Sequence, residues 1–177
     1  MKQVIVGLVA ASLAFGPVFA NAACFTDVEW RAAHVRVYQT DLQVAALECE
    51  NVAGHNYTDQ YNGFIAKMRD RLIEETDRLK AHFKRVFGAA GPKELDIFVT
   101  KVANDSSGRS MSDMSFCANS STFFESAMAL EKPQLEQAAL DHVTDKTTIG
   151  DLCASEPAAA PHKKPVKSVA TAAATQK

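Results

Sequence analysis

The sequence contains none of the short motifs that mark the common catalytic and cofactor-binding sites. There is no C-x-x-C, which excludes a thioredoxin-type redox pair and a covalently attached c-type haem. There is also no H-E-x-x-H, no G-x-S-x-G and no glycine-rich loop able to cradle a phosphate. These absences favour a binding or structural role over a familiar enzyme chemistry.

Glycine and proline are missing from the stretch between Cys24 and Glu50, which is therefore predicted to be one long helix. Thr26 and Glu29 have the spacing of a capping box at its start. Apolar side chains fall on two faces of this helix, which predicts that it is buried between neighbours in the middle of a bundle. The first face comprises Val28, Ala32, Val35, Tyr38, Leu42, Ala46 and Cys49, and the second comprises Trp30, Ala33, Val37, Val44 and Leu47.

Residues 1–22 are predicted to be a secretory signal peptide, because Lys2 precedes a short apolar run and residues 20–22 form an A-x-A cleavage site. The run is too short for a convincing membrane span. We therefore expect a periplasmic or secreted protein with no transmembrane segment after signal removal. Cys24 follows two alanines, so lipidation of this cysteine is an alternative, and it would remove one disulfide.

Four cysteines remain after signal removal, and an even number in an exported chain predicts disulfides. A straight helix would hold Cys24 and Cys49 roughly 37 Å apart, far beyond disulfide reach. Following the helices up and down the bundle predicts the pairs Cys49–Cys117 and Cys24–Cys153. The alternative is Cys24–Cys117 with Cys49–Cys153. The wide spacing of the cysteines argues against a metal site.

The rest of the body, up to residue 153, is predicted to be helical. A glycine–histidine–asparagine loop is expected at 51–58, and a polar loop at 104–110. Ser112 is expected to cap a helix that breaks at 119–122. The predicted helices are 59–87, 92–104, one that follows residue 112, and 133–142. The fold class is therefore all-α, an antiparallel four- to five-helix bundle stapled by two disulfides, occupying residues 23–153.

Composition changes after residue 153. Residues 154–177 are rich in Ala, Pro, Lys and Thr and have almost no large apolar side chain, which predicts a disordered tail. The tail carries four lysines against Glu156, whereas the body is acidic. We therefore expect that the tail can contact anionic envelope surfaces.

One polar and aromatic cluster, at the predicted top of the first two helices, is the candidate binding site. Rings and amides together suit recognition of a sugar or a peptide. The alternative is a packed loop in which the two tyrosines close the bundle. The candidate residues are His55, Asn56, Tyr57, Tyr61 and Asn62, with 105–109 as a polar rim.

The histidines suggest no catalytic centre. His34 and His82 are expected to be partly exposed helix residues. A helical bundle can also hold haem non-covalently between a methionine and a histidine, so a haem carrier is a further alternative. The residues that would supply these ligands are Met68 or Met128 with His82 or His142. Methionines at helical spacing more often fill a core, so no cofactor is predicted.

Several segments of the body resemble a group of small exported Gram-negative proteins of unassigned function. The resemblance covers most of residues 23–153 and misses the tail. It implies export and carries no activity. The segments are Ala45-Ala46-Leu47-x-Cys49, Tyr61-Asn62-x-Phe64, Leu79-Lys80-x-x-Phe83-x-Arg85, Phe98-Val99-Thr100-x-x-Ala103-Asn104 and Phe116-Cys117.

The leading functional hypothesis from the sequence is a non-catalytic binding or structural role at the cell envelope, with an envelope polymer or protein as partner. An enzyme that processes an envelope sugar or peptide, using the loop of His55 and Tyr61, is the alternative. No nucleic-acid partner is predicted.

Overall fold

The computed structural model describes residues 23–52, 54–143 and 149–153, and within them the chain is a helical bundle. The predicted fold class is thereby confirmed. The predicted signal peptide and the predicted tail lie outside the described residues. The helices are α1 (Asp27–Glu48), α2 (Tyr57–Phe87), α3 (Gly91–Ser112), α4 (Phe116–Ala129) and α5 (Leu135–His142).

Helix α1 begins at the predicted capping box. The Thr26 hydroxyl accepts a hydrogen bond from the Glu29 backbone N–H at 3.4 Å, and the Glu29 carboxylate accepts one from the Thr26 N–H at 2.9 Å. The helix packs against each of the other four, which confirms its predicted central position. Val28 and Leu47, both assigned to apolar faces, are instead exposed near its two ends.

The apolar side chains form two cores, one at each end of α1. The upper core surrounds Cys49 and contains Leu42, Tyr57, Phe64 and Phe124. The lower core lies near Cys24 and contains Phe25, Val37, Leu79, Phe83, Phe98 and Val102. Helix α4 therefore packs mainly on the upper half of the bundle, and α3 mainly on the lower half.

One disulfide closes each end of the bundle. Cys24 bonds Cys153 with their Cα atoms 4.9 Å apart, and Cys49 bonds Cys117 with theirs 5.4 Å apart. This is the predicted pairing. Formed disulfides are typical of proteins that reside in an oxidising compartment.

The connection from α2 to α3 is tight and depends on two glycines. Gly88 ends α2 with a positive φ of 56°, which L side chains rarely adopt. A Cβ at Gly91 would lie 2.8 Å from the backbone oxygen of Phe83. Only glycine therefore allows the start of α3 to approach the end of α2 so closely.

Helix α3 is longer than predicted. The polar stretch that was expected to form a loop at 104–110 is helical, and Ser112 is the last residue of α3 rather than the cap of α4. Ser106 is buried against the bundle, and Arg109 binds Asp41 of α1. These tertiary contacts outweigh the low helix propensity of the Asp-Ser-Ser-Gly sequence.

Helix α4 is continuous through the predicted break at 119–122. The Ser120 hydroxyl donates to the Phe116 carbonyl at 2.9 Å, and the Ser126 hydroxyl donates to the Thr122 carbonyl at 2.8 Å. Such bonds within a helix satisfy serine hydroxyls without interrupting it. The prediction of a break was wrong because Ser120 is buried against the upper core.

After α5 the chain returns to the start of α1. The Phe25 N–H donates to the Asp151 carbonyl at 3.0 Å, and the Cys153 N–H donates to the Phe25 carbonyl at 2.8 Å. This short parallel bridge places Cys153 beside Cys24. None of the helices in the described ranges is both long and apolar enough to cross a membrane.

Candidate functional site

A cleft of about 720 Å³ opens between α3 and α4, above α1. It lies where the two helices separate, because α3 packs on the lower core and α4 on the upper one. A volume of this size accommodates a small molecule or a few residues of a peptide. The lining residues are Val37, Asp41, Arg109, Ser112, Asp113, Phe116, Asn119, Ser120, Thr122, Phe123, Ser126, His142 and Val143.

The charged centre of the cleft is Asp41, which is only 9% exposed. Its Oδ1 accepts a hydrogen bond from Nη2 of Arg109 at 2.5 Å, and its Oδ2 accepts one from Nε2 of His142 at 3.0 Å. The three side chains come from α1, α3 and α5. A buried carboxylate requires such partners, because burial without them would be strongly unfavourable.

Aromatic rings hold His142 in place. Its imidazole stacks on Phe123 with ring centres 4.3 Å apart and planes 4° from parallel. Tyr38 contacts both rings edge-on. The His142 side chain is 31% exposed, and that of Arg109 is 44% exposed, so both groups remain accessible from the cleft.

Asp41 orients the imidazole of His142, but the bonded serines of the cleft do not act as its nucleophile. An aspartate that binds one imidazole nitrogen fixes the tautomer and orientation of the ring, as in general-base catalysis. The serine hydroxyls of the cleft whose hydrogen bonds are known donate to backbone carbonyls, not to His142. The arrangement therefore supports binding and orientation more directly than bond cleavage.

Metal binding finds no support in this geometry. Within the part of the chain that the structure describes, no three histidine, cysteine, aspartate or glutamate side chains are arranged to hold a metal ion. Met68 and His82, one of the pairs considered for haem, both belong to α2. Fourteen residues of rigid helix separate them by roughly 21 Å, too far to coordinate one iron atom together.

The five residues predicted to form a binding site lie at the Cys49 end of the bundle and do not line the cleft. Asn56 caps α2 by accepting a hydrogen bond from the Asp59 N–H at 3.2 Å. Tyr57 is buried and stacks on Phe124, Tyr61 packs on the upper core, and Asn62 is exposed. His55 is exposed and stacks on Tyr57 at 4.9 Å. Recognition of a sugar or peptide there remains a prediction.

Arg109, which was predicted to form the rim of that site, lines the cleft instead. Sequence reasoning did not connect it with Asp41 and His142, because 68 residues separate Asp41 from Arg109 and 33 separate Arg109 from His142. One signal was available. Asp41 shares one face of α1 with Val37, Tyr38, Val44 and Ala45. A carboxylate on a buried, apolar helix face needs a basic partner.

A second polar cluster stabilises the Cys24 end of the bundle. Glu29 binds Arg85 and His82 of α2, and Arg85 also donates to the Cys24 carbonyl at 3.1 Å. Burial alone would raise the pKa of Glu29, but hydrogen bonds from Arg85, Thr26 and His82 lower it to about 2. This cluster joins the start of α1 to the end of α2 and is structural.

The two helix histidines that were expected to be partly exposed are both buried. His82 is 2% exposed and stacks on Phe25 at 3.8 Å, and its burial lowers its pKa. His34 is 1% exposed, contacts the Trp30 ring at a tilt of 56° and donates from Nδ1 to the Trp30 carbonyl at 2.8 Å. Local hydrogen bonds and ring contacts make both acceptable in the interior.

A third cluster joins α2 to α5. Arg71 and Arg78 both bind Glu75 and Glu136, at distances between 2.5 and 3.0 Å. Burial raises the pKa of Glu75, and the neighbouring Glu136 raises it further, against the opposing effect of Arg78. The Glu75 side chain is 3% exposed and that of Glu136 is 24% exposed. Glu75 is therefore the more readily protonated of the two carboxyl groups.

Comparison of this chain with protein-family models, curated proteins and solved structures found no match.

Proposed function

We propose that this protein is an exported binding protein that acts at the cell envelope and holds its ligand in the cleft between α3 and α4. The observation that carries this proposal is the position of Asp41, fixed by Arg109 and His142 at the floor of the cleft. Three helices supply these side chains, so the site is preorganised by the packing of the bundle.

The rest of the bundle supports a rigid binding scaffold. Disulfides close both ends, and a buried polar cluster reinforces the lower one. The two cystines support an oxidising compartment, and together with the predicted signal peptide they favour the periplasm. In this proposal the lysine-rich tail holds the protein near anionic envelope polymers or lipid.

A non-catalytic role is favoured over an envelope-processing enzyme. The enzyme hypothesis depended on His55 and Tyr61, but Tyr61 packs on the upper core and the ring of His55 stacks on Tyr57. In the cleft, Ser112, Ser120 and Ser126 donate to backbone carbonyls. A nucleophile activated by His142 would need a hydroxyl whose proton faces the imidazole.

The test is a screen of small molecules by ligand-observed NMR on the full mature chain, repeated with a variant whose cleft is blocked. Ser126→Trp places an indole at an exposed position that lines the cleft. Glu125→Trp is the matched control, because it adds the same ring to the neighbouring exposed position that does not line the cleft. Compounds that bind the wild type and Glu125→Trp but not Ser126→Trp support the proposal. Compounds that bind all three proteins equally, or none of them, contradict it.

A further inference from the structure

Three serine hydroxyls in the polar wall of the cleft donate their protons to backbone carbonyls. A serine hydroxyl has one proton to donate and keeps lone pairs that accept. Ser112 donates to the Arg109 carbonyl at 3.1 Å, Ser120 to the Phe116 carbonyl at 2.9 Å and Ser126 to the Thr122 carbonyl at 2.8 Å. What these hydroxyls can offer a ligand is therefore their lone pairs.

The mouth of the cleft continues this pattern. Asn119 donates one proton of Nδ2 to the Ser115 hydroxyl at 3.1 Å, and its carbonyl oxygen can accept a hydrogen bond. Asp113 accepts from the Ser115 N–H at 2.8 Å and from the Ser115 hydroxyl at 2.6 Å. These two bonds lower the pKa of Asp113, so it is a carboxylate at neutral pH.

The two basic side chains of the cleft are paired with a carboxylate. Arg109 and His142 both bind Asp41, and the charges of Arg109 and Asp41 compensate each other. Asp113 adds one further negative charge, so Arg109, Asp41 and Asp113 together give the lining a net charge of −1. An anionic ligand would be repelled by Asp113 and would compete with Asp41 for Arg109.

The remaining wall is apolar and aromatic. Phe116 and Phe123 from α4 and Val37 and Val143 from the lower core line the same cleft. Such a wall buries an apolar ligand body, and the face of a phenylalanine ring attracts a nearby cation. A ligand that satisfies all these groups has an apolar body and a charged group rich in hydrogen-bond donors.

We infer that the cleft binds a protonated amine attached to an apolar body. This inference rests on the proposed function and adds the class of ligand. The ammonium group donates to the hydroxyl lone pairs and to Asp113, while the apolar part packs on Phe116 and Phe123. The amine is that of a free small molecule or of a lysine side chain in a peptide.

The test compares three probes of nearly equal shape on the full mature chain by NMR titration: 2-phenylethylammonium, 2-phenylethanol and 3-phenylpropionate. We expect the ammonium probe to bind about tenfold more tightly than the other two, the difference that one well-placed ion pair with ring contacts supplies. Asp113→Asn should remove most of this preference. Glu125→Gln deletes one negative charge beside the cleft without altering its lining, so it should preserve the preference.

Each outcome separates this inference from the proposed function. If the alcohol or the carboxylate binds as tightly as the ammonium, and Ser126→Trp blocks that binding, the amine class is wrong and the cleft remains a binding site. If no probe binding responds to Ser126→Trp, the cleft itself is wrong. An equal loss of preference in Asp113→Asn and Glu125→Gln would show general charge attraction and would also overturn the inference.

A variant with Lys163, Lys164 and Lys167 changed to glutamine distinguishes the two sources of the amine. Tighter binding of 2-phenylethylammonium by this variant would identify the lysines of the chain itself as competitors for the cleft. Unchanged binding would assign the cleft to an amine from outside. Both results are consistent with the amine class. Weaker binding by this variant would contradict it, because the loss of three positive charges should not weaken the attraction between the protein and a cationic probe.

Discussion

Arg85 binds Glu29 through two nitrogen atoms: Nη2 lies 2.6 Å from Oε2, and Nε lies 3.2 Å from Oε1. The same carboxylate caps α1 by accepting from the Thr26 N–H at 2.9 Å. One side chain therefore fixes the start of α1, the end of α2 and, through the Arg85 bond to the Cys24 carbonyl, the backbone at the disulfide. Charge-assisted bonds of this kind are stronger than those between neutral groups.

The first prediction concerns Glu29 and pH. Its pKa falls from 4.5 in the unfolded chain to about 2 in the fold, so its stabilisation is fully present above pH 4.5 and is lost as pH falls towards 2. The shift corresponds to roughly 3 kcal/mol at most. Glu29→Gln should therefore lower the free energy of unfolding at pH 7, and its difference from the wild type should shrink below pH 4.

Urea unfolding of both proteins between pH 2 and pH 7 measures this effect. The matched control is Glu48→Gln, which changes an exposed glutamate near the other end of α1 and should leave the free energy nearly unchanged at every pH. A constant gap between the wild type and Glu29→Gln across the range would show that the carboxylate charge does not contribute as described.

The start of α1 and the disulfide pairing could be predicted because each depends on few variables. A capping box is local, so Thr26 and Glu29 identify the helix start without knowledge of the fold. The pairing of Cys49 with Cys117 follows from helix lengths and alternating directions, which a short-loop bundle constrains strongly. Both features depend little on which side chains pack against each other.

The cleft could not be predicted for the opposite reason. Asp41, Arg109 and His142 meet only because α3 continues past residue 104, and that continuation depends on the burial of Ser106 and on the Arg109–Asp41 bond itself. Local propensity favours a loop there, and tertiary contacts reverse it. The polar face of α4 was similarly mistaken for a break, although its serines bond within the helix.

The second prediction concerns the two glutamates between α2 and α5. The raised pKa of Glu75 means that the fold favours its protonated form, so its contribution to stability decreases as pH rises above 4.5. Burial also acts to raise the pKa of Glu136, but hydrogen bonds with Arg78 and Glu75 and the charges of Arg71 and Arg78 lower it, so its contribution is fully present above pH 4.5 and is lost as pH falls below that value. Glu75→Gln should gain stability relative to the wild type as pH rises from 4.5 to 7, whereas Glu136→Gln should be less stable than the wild type above pH 4.5, by an amount that shrinks at lower pH.

Chemical unfolding at pH 3, 4.5, 5.5 and 7 gives the slope of each stability difference with pH. Because Gln has the shape of a protonated Glu, neither substitution changes the packing, and each variant is the control for the other. Slopes of the same sign would mean that the proton belongs to the pair as a whole rather than to Glu75.

The third prediction compares the two disulfides. The sequence separations are 129 residues for Cys24–Cys153 and 68 for Cys49–Cys117. In the chain-entropy model each bond stabilises the fold by about 4–5 kcal/mol, and the longer loop exceeds the shorter one by only ~0.6 kcal/mol. Replacing either pair by serines should therefore lower the urea midpoint strongly and by similar amounts.

Denaturation of the two double variants beside the oxidised wild type checks this expectation. The reduced wild type serves as the control for loss of both bonds. If the replacement of Cys24 and Cys153 by serine barely lowers the urea midpoint, the Phe25–Leu152 bridge and the Glu29–Arg85 bonds already hold this end of the bundle together.

The fourth prediction concerns Tyr57, which is 1% exposed and whose hydroxyl has no hydrogen-bond partner among the described residues. Its ring stacks on Phe124 at 4.8 Å. A buried hydroxyl without a partner is unfavourable, whereas the ring contributes through burial and stacking. Tyr57→Phe should therefore leave the free energy of unfolding unchanged or raise it by up to ~1 kcal/mol, and Tyr57→Ala should lower it by about 3 kcal/mol or more.

Urea unfolding of Tyr57→Phe, with Tyr61→Phe as a half-buried control, measures the contribution of the hydroxyl alone. A loss above ~1 kcal/mol for Tyr57→Phe would mean that the hydroxyl is bonded in solution, either to ordered water or to a group outside the described residues. That result would favour a polar site at the Cys49 end, as the sequence predicts for His55, Tyr57 and Asn62. An unchanged or increased stability would assign Tyr57 to closing the upper core, since only its apolar ring would then be required.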